Sequence, residues 1–161
     1  MPLPRFVADL RAHVGTEPLW LPGVTAVVLD DADRVLLVRR SDSGRWALVS
    51  GILEPGEDPA VGLTREVTEE TGVVVEVRGL AYVSVTRMVT YPNGDQARYL
   101  DLTFLCRHVR GTAVVGDDEA TDVRWFALDE VPADLSASSV DRLARALEFR
   151  SDPAAGTRFV R

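Results

Sequence analysis

The stretch "GILEPGEDPAVGLTREVTEETGV", residues Gly51–Val73, carries an unusual density of negative charge. It holds six carboxylates against a single cation, Arg65, and three of the acids fall within the short block "REVTEE" (65–70). Helix formation alone gives no reason for such crowding, because like charges one turn apart repel each other. The acids therefore point to a shared chemical task.

A helix is predicted over 59–71, because both of its ends carry suitable residues. Asp58 can cap the N-terminus, Pro59 fits the first helical position, and Gly72 fits the position just past the end. At 100° per residue, four side chains form the face that should pack on a sheet: Ala60, Leu63, Val67 and Thr71. Three acids fall together on the adjoining face: Glu66, Glu69 and Glu70.

These three acids are spaced i, i+3 and i+4, and each like-charged pair costs roughly a few tenths of a kcal/mol on an exposed helix. Arg65 is the one cation nearby, and it points about 100° away from Glu66. The cluster becomes favourable if a divalent cation lies among the carboxylates. Oxygen ligands without His or Cys favour Mg²⁺, Mn²⁺ or Ca²⁺ over Zn²⁺. The alternative is a solvated acidic helix face, since such runs are common.

The composition of the 161 residues is that of a globular protein with a core, 46% hydrophobic and 27% charged, and predicts a single domain over 1–161. The net charge of −7 disfavours binding to a long nucleic acid or to an anionic membrane. A single cysteine, Cys106, excludes an internal disulfide and suits a reducing compartment. The N-terminal segment is amphipathic and charged, unlike a signal peptide, so a cytoplasmic location is expected.

Hydrophobic periodicity predicts helices and strands in a mixed order. An N-terminal helix is expected over about 4–14 and a last helix over 139–149. The segments predicted as strands are 24–30, 34–40, 46–51, 73–90 with Gly79 as a candidate break, 97–109 and 121–128. This order favours an α/β fold in which helices pack on the faces of a mixed sheet.

The spacing within the acidic stretch resembles the Nudix box, which would occupy 51–73. Gly51 is followed by Glu57 and then by the blocks "REV", "EE" and "GV", so every fixed position of the box is filled. The order of elements also resembles the Nudix fold, an α/β/α sandwich around a mixed β-sheet, along most of the chain. One departure is the entry "LVSGIL" (48–53), where many members have Pro-Gly-Gly. Because Gly51 remains, the turn is expected to form.

The resemblance implies a pyrophosphohydrolase that uses Mg²⁺ or Mn²⁺ to cleave a nucleoside diphosphate linked to another moiety. The implied metal ligands are Glu66, Glu70, Glu69 and the carbonyl of Gly51. Glu69 is implied either as a further ligand or as the general base, and the family pattern does not fix which carboxylate is the base. Glu119, in the acidic loop 117–119, is a candidate additional ligand or base, and otherwise an exposed loop acid.

Arg65 and Glu57 are implied to pair with each other and to hold the box loop against its helix. The alternative for Arg65 is a simple surface residue. Both are grouped with Glu69 as predicted catalytic residues of the box.

Four residues outside the box are candidate substrate contacts: Arg39, Arg40, Trp46 and Glu119. The two arginines end a predicted strand, and a guanidinium can bind phosphate oxygens in a bidentate manner. Their alternative is a surface pair at a strand edge. Trp46 is either a base-stacking platform or, as the favoured interpretation, a residue of the core or the pocket lip.

The remaining aromatic residues and histidines are given structural interpretations. Trp20 and Trp125 are expected to pack in the protein, and Cys106 to be a buried small residue. His13 and His108 show no spacing typical of metal ligands. Tyr91 and Pro92 lie where some family members carry substrate-recognition residues, but the hairpin turn predicted over 91–96 explains both.

A small nucleotide is the substrate class that the resemblance and the charge favour together: a (d)NTP, including an oxidised one, ADP-ribose or a nucleotide sugar. A non-catalytic nucleotide-binding sensor domain is the alternative function, although such domains typically lose box carboxylates. An isomerase on the same fold fits less well, because that group resembles the box loosely. Nudix proteins often dimerise, which leaves a homodimer through the N-terminal helix open.

Overall fold

Apolar and β-branched runs form one mixed sheet in the computed structural model, which describes residues 4–160. The strands are β1 (Leu19–Leu29), β2 (Arg34–Arg40), β3 (Trp46–Ala47), β4 (Val49–Ile52), β5 (Val74–Val85), β6 (Val89–Thr90), β7 (Gln96–Arg110), β8 (Ala120–Ala127) and β9 (Arg158–Phe159). The helices are α1 (Arg5–Val14), α2 (Pro59–Thr71) and α3 (Ala137–Ser151), with a short 3-10 turn at Pro153–Ala155.

The sheet is mixed because β1 pairs in parallel with β7, and β5 with β9, whereas the other strand pairs are antiparallel. Its main path runs β3-β2-β1-β7-β5-β9, and β4, β6 and β8 join β1, β7 and β2 respectively. On its side away from β7, strand β1 pairs with β2 at Leu29 and with β4 over residues 23–26. This sharing places Gly51 directly opposite Val24, beside the centre of the sheet.

Helices α2 and α3 cover opposite faces of the sheet, as the α/β sandwich predicted. Leu63 and Val67 of α2 pack into one buried cluster with Val24 and Phe104. The side chains of α3 that face the sheet, Leu143 and Ala146, belong to a second cluster that also includes Val27, Leu37 and Leu105. Helix α1 packs separately, where Val7 contacts a third cluster with Leu21 and Ala97.

Several boundaries differ from the prediction for reasons visible in the packing. Strand β1 begins at Leu19 instead of 24, because its first residues pair in parallel with β7. Trp20 was expected to pack but is 59% exposed. Its neighbours Leu19 and Leu21 contact the α1 cluster, so the alternation of the strand turns Trp20 to the other face.

The predicted strand 73–90 divides into β5 and β6, and the ladder between β5 and β7 shifts register near Gly79. A Cβ at Gly79 would lie 2.7 Å from Cζ of Phe149, so the glycine admits this ring from α3. The helix boundaries 59–71 are as predicted, and Gly72 adopts the left-handed conformation with φ of 68°. Asp58 occupies the N-cap position but its side chain makes no cap hydrogen bond, and Ala60 is exposed.

No helix within residues 4–160 combines the length and hydropathy needed to cross a bilayer.

Candidate active site

The entry to the acidic stretch is shaped by the contact between Gly51 of β4 and Glu66 of α2. Glu66 is buried, with 1% of its surface exposed. A Cβ added at Gly51 would overlap the carboxyl group of Glu66. Glycine is therefore required at position 51 by close approach, since it leaves the space that the Glu66 side chain fills.

Arg65 binds three carboxylates of the stretch at once. Its Nε and Nη2 donate to the two carboxylate oxygens of Glu57 at 2.9 and 3.0 Å. Its Nη1 donates to Glu66 Oε1 at 3.0 Å and to Glu69 Oε2 at 3.1 Å. The bidentate bond lowers the pKa of Glu57 and raises that of Arg65. Arg65 therefore joins the turn before α2 to the helix itself, as the resemblance implied.

The contact between Arg65 and Glu66 was not expected from the helical spacing of 100° per residue, which points the two side chains in different directions. This spacing gives the direction of Cβ, whereas the arginine side chain is long enough to carry its guanidinium back to a neighbouring residue. Arg65 thereby offsets part of the repulsion among the acids. It also keeps Glu69, which is 48% exposed, turned towards the guanidinium.

Glu66 and Glu70 are buried carboxylates in a strongly acidic neighbourhood. The pKa of Glu66 is raised to about 7, mainly by burial and also by the charges of Glu69 and Glu119, although Arg65 lowers it. Burial also raises the pKa of Glu70 to about 8, with further contributions from the charges of Glu119, Glu66 and Asp117. Both side chains are held in an environment that disfavours their charged form and would favour an added cation.

The loop 117–119 lies beside the box, since the charges of Asp117 and Glu119 act on Glu70. The backbone N–H of Glu119 donates to Asp117 Oδ1 at 3.0 Å. The carbonyl of Glu119 accepts from the N–H of Ser41, just after β2, at 2.7 Å. The structure thus brings Glu119 to the acids of α2.

The two arginines at the end of β2 are separated by the alternation of the strand. Arg40 lies on the same face as Val38, which belongs to the cluster under α2, and its charge interacts with Glu119 and Glu70. Asp42 holds Arg40 through bonds of 3.0 and 2.9 Å and raises its pKa. Arg39 points to the other face, where its Nε donates to the carbonyl of Gly44. Arg40 is therefore brought to the acids and Arg39 is not.

Trp46 is a core residue, which agrees with the favoured interpretation of this side chain and removes it from the candidate substrate contacts. It is 7% exposed and packs in the cluster under α3, on the face opposite Glu66. Its ring meets Phe126 edge-on at a centroid distance of 4.8 Å. Burial against Phe126 leaves no open ring face for a stacked base.

The chemistry of these side chains fits a hard divalent cation. Glu66, Glu70, Glu69 and Glu119 supply oxygen donors, and the raised pKa values of the two buried acids would be relieved by a cation. Within residues 4–160, no three His, Cys, Asp or Glu side chains already converge as a metal cluster. Arg65 holds one oxygen of Glu66 and one of Glu69, and this leaves the second oxygen of each carboxylate outside its hydrogen bonds.

A pH dependence of stability follows from the two buried acids in metal-free protein. Their pKa values are raised in the folded state, so folded protein keeps protons that unfolded chains release above about pH 4.5. The free energy of unfolding should therefore fall as the pH rises from about 5 to about 8.5. Thermal unfolding in EDTA at several pH values measures this fall.

The matched variants for this experiment are Glu66→Gln and Glu70→Gln, whose amides do not titrate. Each should flatten the pH dependence, and Mg²⁺ should raise the unfolding midpoint of the unmodified protein most at high pH. A midpoint that rises with pH above 6 in EDTA would contradict the assignment.

A second buried polar group was not anticipated from the sequence. Asp101 of β7 is 3% exposed and accepts hydrogen bonds from Thr25 and Thr103, each at 2.8 Å. Nε of Arg142 in α3 lies 3.0 Å from its Oδ2. The only hint in the sequence is one acid within the apolar run "YLDLTFL". Through Asp101, these contacts connect Arg142 of α3 with Thr25 of β1 and stabilise the packing of the helix on the sheet.

Comparison with known proteins places these features in a family. The NUDIX domain model matches residues 19–147. A MutT-like protein from Streptomyces ambofaciens is 36% identical over 133 residues, which are 81% of this chain and 79% of that protein. The NAD-capped RNA hydrolase NudC from Pseudomonas entomophila (strain L48) is 31% identical over 136 residues, 83% of this chain and 45% of that protein. The chain thus spans less than half of the NudC relative.

Among solved structures, the MutT NUDIX hydrolase from Burkholderia pseudomallei superposes with a TM-score of 0.66 at 26% identity. The match covers 79% of this chain and 98% of that one.

Proposed function

The chain belongs to the Nudix hydrolase family, and from this premise we propose that it cleaves the diphosphate linkage of a small nucleotide with the help of a divalent cation. The observation that carries this proposal is the pair of buried acids on α2, Glu66, which lies against Gly51, and Glu70, four residues further along the helix. An acidic site can hold a polyanionic substrate only if a cation lies between them. Family membership supports the use of a divalent metal, and Mg²⁺ or Mn²⁺ is the proposed ion.

Glu66 and Glu70 are the proposed principal ligands, with the Gly51 carbonyl as a further one. When bound, the cation would neutralise phosphate charge and polarise the phosphoryl group. Glu69 and Glu119 are each proposed either as a further ligand or as the carboxylate that accepts the proton of the attacking water. Glu69 is exposed and bonded to Arg65, whereas Glu119 is half-buried at the loop end. Proton transfer requires either to lie within hydrogen-bond reach of that water.

Arg65 and Glu57 are proposed to act on the geometry of the box. Their bidentate bond joins the turn to α2, and the remaining Nη1 neutralises part of the charge on Glu66 and Glu69. Such support keeps ligand carboxylates oriented when no substrate is present.

The proposed substrate is a (d)NTP, including an oxidised one, or ADP-ribose or another nucleotide sugar. The net charge of −7 opposes binding of a long nucleic acid, because few phosphates could be neutralised. Similarity to NudC makes the free dinucleotide NADH a further compound to test. The match covers 45% of the NudC protein, so we do not extend its activity on NAD-capped RNA to this chain.

The test is a phosphate-release screen with purified protein and Mg²⁺ or Mn²⁺. The panel contains (d)NTPs, oxidised dNTPs, ADP-ribose, nucleotide sugars, dinucleoside polyphosphates and NADH, with a coupled phosphatase for products that carry a terminal phosphate. We expect one class to be hydrolysed strongly in a metal-dependent manner. Nucleotide binding without turnover across the panel would instead indicate the sensor function.

Arg40 should contribute to substrate binding through its position beside the acids. We expect Arg40→Ala to raise KM about tenfold or more, since hydrogen bonds between charged groups contribute about 1.5–3 kcal/mol. Arg39→Ala, on the other face of the same strand, should change KM by less than about twofold. Steady-state kinetics with the best substrate of the screen separates the two. If the two variants changed KM equally, Arg40 would have no special role in substrate binding.

A further inference from the structure

The segment 111–119 is docked on the last turn of α2, the helix that carries the box acids. The N–H of Val114 donates to the Thr71 carbonyl at 3.0 Å, and the N–H of Gly116 donates to the Glu70 carbonyl at 2.9 Å. Carbonyls in the last turn of a helix have no partner within the helix itself. Two of them are satisfied here by a distant segment, so the end of α2 and the start of the acidic loop form one hydrogen-bonded unit.

Gly116 lies so close to α2 that no side chain fits at this position. A Cβ would lie 2.9 Å from the carbonyl carbon of Glu69 and 3.0 Å from that of Glu70, and it would overlap the Glu69 oxygen. The neighbouring atoms are backbone atoms of the helix, which cannot move aside as a flexible side chain can. The φ of Gly116 lies outside the left-handed region. Glycine is therefore required by the close approach and not by the backbone angle.

The docking determines where Glu119 lies relative to the acids of α2. Glu119 follows Gly116 by three residues and is fixed from the other side by the bond between its carbonyl and the N–H of Ser41. The Asp117 side chain shapes the turn between them by accepting from the N–H of Glu119. With both ends held, the backbone of Glu119 is fixed beside the end of α2.

We propose that Gly116 is a positioning residue, which delivers the Glu119 carboxylate to the metal-binding acids by allowing the loop to dock on α2. The inference rests on the proposed function, because it assigns Glu119 a role at the metal. A bulkier residue at 116 would lift the loop from the helix and move Glu119 away. The variant should therefore lose only the part of the metal affinity that Glu119 contributes.

The test is the affinity of the purified protein for Mn²⁺, measured by the fall in the electron paramagnetic resonance signal of the free ion. Four proteins form a double-mutant cycle: unmodified, Gly116→Ala, Glu119→Gln and the double variant. Each single variant should bind Mn²⁺ about tenfold more weakly, as supporting residues of metal sites do. The double variant should bind no more than about twofold more weakly than Glu119→Gln alone. Val115→Ala, an exposed side chain in the same segment, should leave the affinity unchanged.

The proposal would be overturned if the losses of Mn²⁺ affinity in the two single variants added up in the double variant. It would also be overturned if Gly116→Ala or Glu119→Gln bound Mn²⁺ with unchanged affinity. Failure of the proposed function looks different, since Glu66→Gln and Glu70→Gln would then also bind Mn²⁺ normally. If Gly116→Ala does not fold, amide hydrogen exchange of the unmodified protein decides. The Val114 and Gly116 amides should exchange slowly and more slowly still with Mg²⁺, and rapid exchange with Mg²⁺ present would overturn the docking.

Discussion

Glu70→Gln is expected to reduce turnover by orders of magnitude while the protein stays folded. Glu70 is buried among Glu66, Asp117 and Glu119, and its carboxylate is a proposed ligand of the cation that the reaction needs. An amide keeps the size of the side chain but supplies a weaker oxygen donor without charge. Turnover is measured with the best substrate of the screen at saturating Mg²⁺.

The same substitution should leave the unfolding midpoint in EDTA unchanged or higher, because it removes a charge that the fold disfavours. Glu69→Gln should also reduce turnover strongly, for it removes a candidate base. The matched control is Glu54→Gln, an exposed acid of the same stretch, which should retain normal activity. Near-normal turnover in both Glu69→Gln and Glu70→Gln would refute the mechanism.

Gly51→Ala is expected to impair both activity and stability. The added methyl group would overlap the buried carboxyl group of Glu66, which must shift to make room. Overfilling a packed site costs about 1–3 kcal/mol of stability. Displacement of a ligand by about 1 Å can lower activity about 100-fold. Denaturant unfolding and steady-state kinetics measure the two effects separately.

A glycine on the neighbouring strand provides the control for this substitution. A Cβ at Gly23 would meet its nearest neighbours, in Tyr99 and the Gly51 carbonyl, at 3.4–3.6 Å, which is ordinary van der Waals contact. Gly23→Ala should therefore keep most of the activity. If Gly51→Ala were as active as Gly23→Ala, the contact with Glu66 would have no catalytic consequence.

Local features of the sequence were sufficient to predict the acidic helix. Pro59 and Gly72 mark its two ends by their own backbone preferences, so the predicted and observed boundaries agree. The filled Nudix box also led to the correct family and the α/β fold. These successes depend on residues close together in the chain.

Contacts between distant segments were not predictable in the same way. Trp20 and Trp46 both lie in apolar strands, but only packing decides that Trp46 lies under α3 and Trp20 is exposed. The bonds from Val114 and Gly116 to α2 depend on where a loop meets a helix far away in sequence. The choice of Arg40 over Arg39 required knowing which face of β2 lies under α2.

The parallel pairing of β1 with β7 has a consequence for the order of folding. Leu19 pairs with Ala97, so the centre of the sheet closes only after a long intervening chain has been brought back. Such distant pairings slow the folding of a domain. The segment that completes the end of α2 follows β7 directly, and we expect it to dock after that pairing. A cation that binds only the completed site should therefore slow unfolding and leave the rate of sheet formation unchanged.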